Sequence, residues 1–329
     1  SRQLNWNTLT PPNFPIGAST RELGMNTNRA EYLPHEGVML EEVASLLKDV
    51  PNGNFVDATY GYGSHFNLSE KFTHLNFIGF DRDLEAINNS KKDHNVYHLN
   101  FSEIYNFLSK NSFLPLSGIL YDFGLSSHQI DSDYRGFSFQ KNSWLDMRMD
   151  TNQNLKADII LNSYSEEALS EVLKLYSEDR NYKKISKKIV KYRPILTTRE
   201  LVKVIKEALP KQNPIYTEKT VRKIFQALRI EVNNELNEIK TSLDSIKNSI
   251  IKKGIIVCIS YHSLEDKIVK NFLNEITTAC ICETSIPICS CDIEQQFIFP
   301  KKKKYRPSDK EKASNPRSKS AIMRYVVKL

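Results

Sequence analysis

Apolar positions along the first part of the chain switch between two periods. Leu40, Val43, Leu46 and Leu47 recur at helical spacing, and Glu41 and Glu42 sit where a helix dipole welcomes negative charge, so a helix is predicted over Leu40–Leu47. Short apolar runs follow at Phe55-Val56, Phe77-Ile78-Gly79-Phe80, Val96-Tyr97-His98-Leu99 and Ile119-Leu120-Tyr121, separated by helical stretches. Strand alternating with helix predicts a parallel sheet covered on both faces. The alternation stops after residue 135 and resumes at Ile255-Ile256-Val257-Cys258-Ile259-Ser260, which reads as a buried strand. Helical patterns fill the gap: Ala168, Val172, Leu173 and Leu175; then Ile185, Ile189 and Val190; then Leu201, Val202, Ile205 and Leu209, ended by Pro210. The expected organisation is an α/β domain formed by residues 31–135 and 216–329, interrupted by an all-helical insertion at 136–215. Residues 1–30, rich in Asn, Thr and Pro without periodicity, read as a flexible arm.

Composition narrows the classes. Of 329 residues 40% are hydrophobic and 10% aromatic, enough for a packed core and against disorder of the whole chain. Lys and Arg (46) outnumber Asp and Glu (39), a formal charge of +7 that suits a polyanionic partner. The excess concentrates in Lys301, Lys302, Lys303, Lys304 and Arg306, with Arg317, Lys319 and Arg324 soon after; a solvated tail is the alternative. No run approaches the ~20 continuous apolar residues of a membrane span. The beginning of the chain lacks the apolar core of a secretory signal. Residue 1 is Ser and the first methionine is Met25, so a missing or processed start is expected. Five cysteines, four of them between 280 and 291, argue against a secreted disulfide framework and for a reducing compartment; the cytoplasm is expected, or an organellar matrix if the source is a eukaryote.

The segment from Asn54 to His65 reads as a strand entering a glycine turn, Gly61-Tyr62-Gly63, and then a helix. Two glycines spaced by one residue permit positive φ and let a ligand lie on bare backbone; a plain tight turn is the alternative. A dinucleotide fingerprint places a third glycine three residues on, where this chain has Phe66, and this counts against a nicotinamide-dependent dehydrogenase. Asp81 ends the second apolar run, where a carboxylate can accept both ribose hydroxyl hydrogens; a helix cap is the alternative. Phe101, just after the third run, can pack on an adenine face.

Further blocks then carry a specific resemblance. They are Pro34 to Val43, Asp57 to His65, Gly118 to Asp131, Tyr134-Arg135-Gly136-Phe137-Ser138-Phe139, Leu145-Asp146-Met147-Arg148-Met149-Asp150, Phe225 to Ile230, Ser260-Tyr261-His262-Ser263-Leu264-Glu265-Asp266, and Asn315 to Ser320. In this order the chain resembles the bacterial ribosomal small-subunit methyltransferase H family, also called MraW. The resemblance implies a Rossmann-like class I S-adenosylmethionine methyltransferase sheet with a helical insertion. It implies methylation of a cytidine N4 amine in small-subunit (16S-type) ribosomal RNA, within the assembled small subunit. Carried over position by position, the cofactor contacts fall on Gly61, Gly63, Ser64, His65, Asp81, Phe101, Asp122 and Gln129. The family usually has glycine where Ser64 stands, so the backbone there has less freedom.

Asp122, at the end of the fourth predicted strand, is the expected catalytic acceptor for the amine; contact with the cofactor alone is the alternative. His262 is a second candidate for the same cleft, or a structural histidine. A splayed-out cytidine calls for a cationic and aromatic entrance, for which Arg135, Phe137, Phe139, Arg317 and Lys319 are candidates. Arg135 and Arg148 also suit plain ion pairs with nearby aspartates. Cys280, Cys282, Cys289 and Cys291 have the number for a Cys₄ zinc clip but a one-residue spacing within each pair, and a metal there stays open.

Overall fold

The computed structural model describes residues 37–132, 134–210, 212–279 and 294–329. The expected arm at 1–30 and the four clustered cysteines lie outside them. In chain order, α1 (Leu40–Leu47) precedes β1 (Gly53–Asp57), β2 (Leu75–Asp81), α2 (Leu84–Asn88), β3 (Val96–His98), α3 (Phe101–Lys110), β4 (Leu116–Asp122) and α4 (Ser127–Asp131). Five helices follow: α5 (Ala157–Ser163), α6 (Glu166–Ser177), α7 (Tyr182–Lys191), α8 (Thr198–Ala208) and α9 (Pro214–Asn233). The chain then returns through α10 (Glu235–Ile246), β5 (Ile250–Ser260), α11 (Ser263–Ile276), β6 (Phe297–Ile298), α12 (Asp309–Ser314) and β7 (Ile322–Lys328).

The seven strands form one sheet in the order β3-β2-β1-β4-β5-β7-β6. β3, β2, β1, β4 and β5 run parallel, and β7 lies antiparallel to both β5 and β6. Side chains alternate between the two faces of each strand, which therefore feeds two cores. Val56, Ile78, Ile119, Tyr121 and Ile256 pack against α3, α10 and α11, while Phe55, Phe77, Leu120, Val257 and Ile259 face α1. Each such side chain, fully removed from water, contributes roughly 1.5–3 kcal/mol, which is why the strands read as unbroken apolar runs.

A third core belongs to the helices alone. Leu161, Leu169, Leu173, Ile185, Ile189, Leu201 and Ile205 pack there with Val221, Ile224, Phe225, Leu228 and Val232. The last five lie on α9, so this helix belongs to the helical core, whereas the expected boundary at 215/216 gave it to the sheet. The turn of direction comes instead at Asn234, which adopts left-handed backbone (φ 49°) between α9 and α10.

The segment from Arg135 to Asp150 joins the helical core to the sheet. Gly136 takes φ 72°, and a Cβ there would lie 2.3 Å from the Trp144 carbonyl oxygen, so only glycine fits. The Asn233 amide closes the junction: its Nδ2 donates to the Met147 carbonyl at 2.7 Å and its Oδ1 accepts from Met149 N at 2.8 Å.

Candidate active site

Asp57, Asp81 and Asp122 are the last residues of β1, β2 and β4, neighbours in the sheet. Three carboxylates thus share the carboxyl edge, where open α/β sheets hold ligands. Between β1 and the residues that follow, Gly61 (φ 54°) and Gly63 (φ 75°) carry the left-handed conformations the glycine turn predicted. Gly63 N donates back to the Tyr60 carbonyl at 2.7 Å, and a Cβ on Gly63 would sit 2.9 Å from the Tyr60 hydroxyl. Ser64 keeps φ out of the left-handed region, so its departure from the family's usual glycine needs no unusual backbone.

The loop is tied to the second strand through its acid. Gly61 N donates to Asp81 Oδ2 at 2.7 Å and Asp83 N to Asp81 Oδ1 at 2.8 Å, each leaving its oxygen further acceptor capacity. Asp83 itself caps α2, so the cap expected as the alternative for Asp81 belongs to its neighbour. Phe101 opens α3, its ring 5.9 Å from those of Tyr121 and Phe123.

Asp122 is held by Thr59, Tyr261 and the Gly124 N–H. Its N–H donates to Thr59 Oγ1 at 2.7 Å, and the Tyr261 hydroxyl donates to Oδ1 at 2.7 Å. His65 Nδ1 stands 3.8 Å from Oδ2, too far for a hydrogen bond. His65 Nε2 donates to the Val38 carbonyl at 3.0 Å, so that nitrogen carries hydrogen. The Asp122 side chain keeps 19% of its surface exposed, whereas Asp57 keeps 1%.

Burial dominates the electrostatics. It pushes Asp57 up to about 6, against the attraction of His65, and Asp81 also up to about 6, against the N–H groups of Asp83 and Gly61. Asp122 is raised by burial too, with His65, the Tyr261 hydroxyl and the Gly124 N–H drawing it back. Asp57 Oδ2 is buried with no hydrogen-bond partner. Uncompensated buried carboxylates at a glycine-lined edge suit a cationic ligand. The donor set therefore fits a methyl donor built on a sulfonium and an ammonium group.

The remaining expected residues divide. Gln129 caps α4: its Oε1 accepts from Ser126 N at 3.0 Å, and its Nε2 donates to Asp83 Oδ2 at 2.7 Å. It therefore stands beside Asp83 at the edge of the sheet. Arg135, expected at an RNA entrance, is 2% exposed. Its guanidinium reaches Asp83 Oδ2 at 2.9 Å, Glu85 Oε2 at 2.7 Å and the carbonyls of Arg148 and Met149 at 2.8 and 3.0 Å. The planar fork suits this bridging, and it clamps the segment that leads to the helical core onto α2. Phe137 and Phe139 likewise pack with the helical core.

Arg317 is partly exposed and reaches Asp131 Oδ2 at 3.1 Å, and Lys319 is exposed. Arg324 is buried against Asp266 at 2.7 Å, which removes it from the basic tail. His262 caps α11 and lies 2.9 Å from Glu265 Oε1. With Glu235 these form a His/Glu cluster into which Arg229 already projects, 2.8 Å from Glu235, so a guanidinium supplies the positive charge. Sequence reasoning passed over Tyr261 and Asp57. Both had a signal, a polar side chain at the carboxyl end of a predicted strand.

Parallel strands with a reversed β7 between β5 and β6, a glycine bend after β1 and acids ending β1, β2 and β4 define a Rossmann-like class I methyltransferase. Residues 32–329 match the model of the MraW methylase family, to which the chain belongs. The ribosomal RNA small subunit methyltransferase H of Caldicellulosiruptor bescii is 41% identical over 310 residues, covering 91% of this chain and 99% of that protein. Its counterpart in Clostridioides difficile is 40% identical over 310 residues, covering 90% and 99%. A solved rRNA methylase from Streptococcus thermophilus superposes with a TM-score of 0.38 and 7% identity, over 88% of this chain and 95% of that one. No helix among the described residues is long and apolar enough to cross a membrane.

Proposed function

We propose that this protein methylates the N4 amine of a cytidine in small-subunit ribosomal RNA, using S-adenosylmethionine and acting on the assembled small subunit. Support comes from the family, from two relatives named as small-subunit ribosomal RNA methyltransferases, and from the position of Asp122. That position is the carrying observation: a carboxylate ending β4, partly exposed, beside the glycine bend and oriented by a hydroxyl.

S-adenosylmethionine, when bound, supplies an electrophilic methyl group on a positively charged sulfur, which departs as a neutral thioether keeping the C–S electron pair. Gly61, Gly63, Ser64 and His65 would hold its amino-acid end, Asp81 its ribose and Phe101 its adenine, with Gln129 bracing the ribose side. Asp57 and Asp122 supply the negative field for its charge. Asp122 accepts a hydrogen bond from the amine, which draws the nitrogen lone pair out of the cytosine ring. The lone pair makes the new C–N bond, and the surplus proton passes to the Asp122 carboxylate. Most of the rate comes from holding the amine in line, not from acid–base strength. Arg317, Lys319 and the exposed Lys301–Lys304 run offer the positive charge for phosphates at the entrance. The site of action is the compartment where small subunits assemble, the cytoplasm of a bacterium or an organellar matrix.

The test incubates the protein and labelled S-adenosylmethionine with small subunits lacking the modification, digests the RNA and identifies the labelled nucleoside by mass spectrometry. N4-methylcytidine is the expected product. Label on another base or on the cytosine ring carbon overturns the reading.

A further inference from the structure

Tyr261 follows the buried strand β5 and leads into α11. Its backbone is pinned from below: Tyr261 N donates to Glu265 Oε2 at 2.7 Å, and Glu265 is fully buried, with Arg229 of α9 3.5 Å away. Its ring lies over Gly124, where an added Cβ would come within 2.7 Å of the ring carbons. Gly124 therefore serves as the bare floor of a slot made for this aromatic. A side chain fixed at its root and along its ring has little freedom left in its hydroxyl, and that hydroxyl points at Asp122 Oδ1, 2.7 Å away.

We infer that Tyr261 is a positioning residue for methyl transfer: its hydroxyl occupies Asp122 Oδ1 and so presents Oδ2 to the substrate amine. This rests on the function proposed above and adds a residue to it. Without the hydroxyl, the carboxylate keeps the Gly124 N–H but loses its side-chain partner, and the fraction with Oδ2 facing the amine falls. A donor to an ionised carboxylate also makes it less basic, in agreement with the direction in which Tyr261 moves Asp122. The other titratable groups facing Asp122 are His65 after β1, Asp57 at the end of β1, and Glu265 on α11. None of these hydrogen-bonds its carboxylate oxygens among the described contacts.

The test is Tyr261→Phe, which keeps ring and shape. A hydrogen bond to a charged group is worth roughly ten- to a hundredfold, so kcat should fall by about that factor with KM within about twofold. The acidic limb of the pH–rate profile should move to higher pH, because a donor to the ionised carboxylate is lost. The same upward shift should appear without turnover, in the ¹³C resonance of the Asp122 carboxyl titrated in cofactor-free protein. Gly124→Ala, which lifts the ring while keeping the hydroxyl, should act in the same direction. An unchanged kcat overturns the inference, as does a fall in kcat with the Asp122 titration unmoved. Wild-type protein that makes no N4-methylcytidine overturns the functional reading on which the inference stands, and the carboxyl titration separates that result from failure of the Tyr261–Asp122 contact.

Discussion

Replacing Asp57 by Asn should stabilise the cofactor-free protein in mild alkali and destabilise it in acid. Asp57 is 1% exposed; its Oδ1 accepts from Thr59 N at 3.1 Å, and Oδ2 has no partner. Burial lifts its carboxyl from 3.8 to about 6. A group raised in this way favours the folded state while protonated, and that contribution is lost as pH rises through about 6. Two pH units at about 1.4 kcal/mol each make the ionised side chain cost about 3 kcal/mol at about pH 8. The amide avoids this cost but buries an unpaired N–H₂, worth about 1 kcal/mol at any pH. Asp57→Asn should therefore gain about 2 kcal/mol at about pH 8. At about pH 4 the wild-type penalty shrinks to about 0.5 kcal/mol, and the variant should be the less stable by a similar amount. Urea unfolding followed by circular dichroism at both pH values measures the difference. A variant equally destabilised at both would refute the argument that Asp57 carries a buried, uncompensated charge.

Two further outcomes follow from the same geometry. Arg135→Ala leaves Asp83 buried without its cation and should lose about 3–5 kcal/mol in chemical denaturation; Arg135→Lys, unable to span Asp83 and Glu85 together, should recover only part. A loss below about 1 kcal/mol would deny Arg135 its clamping role. S-adenosylmethionine should bind more tightly as pH rises through about 6, where Asp81 and Asp57 ionise, with proton release in calorimetric titrations run in buffers of different ionisation heat. A dissociation constant flat from about pH 5 to 8 would contradict this.

The sheet was legible wherever burial on both faces made a strand uniformly apolar, as in β1, β2, β4 and β5. The reversed strand β7 was not, because Arg324 interrupts it. Only the fold reveals that Asp266 and the Lys303 carbonyl take up that guanidinium at 2.7 and 2.8 Å. Helix α9 could not be assigned from the chain, because nothing in its spacing says that Val221, Ile224, Phe225, Leu228 and Val232 join the helical core. At the site, Gly61, Gly63, Asp81 and Asp122 stood at strand ends and could be read as ligand-facing. Arg135 could not be sorted, since a cation that binds RNA and one that binds buried carboxylates look alike until Asp83 is seen beside it. Tyr261 escaped notice because its partner Asp122 lies on a different strand, and no spacing in the chain links the two.

Strands β4 and β5 pair along their length, yet everything from Phe123 to Ser249 intervenes between them. Helices α5 to α9 make mostly local contacts and form quickly, while closing so long a loop to join two parallel strands is slow. The edge that holds Asp122 and Tyr261 should consequently be assembled last. Until then β4 presents an open apolar margin, the kind of surface that chaperones guard. Pulse-labelled hydrogen exchange during refolding should find amides of α6 and α9 protected before those of β5; the reverse order would show that the sheet nucleates without its helical insert.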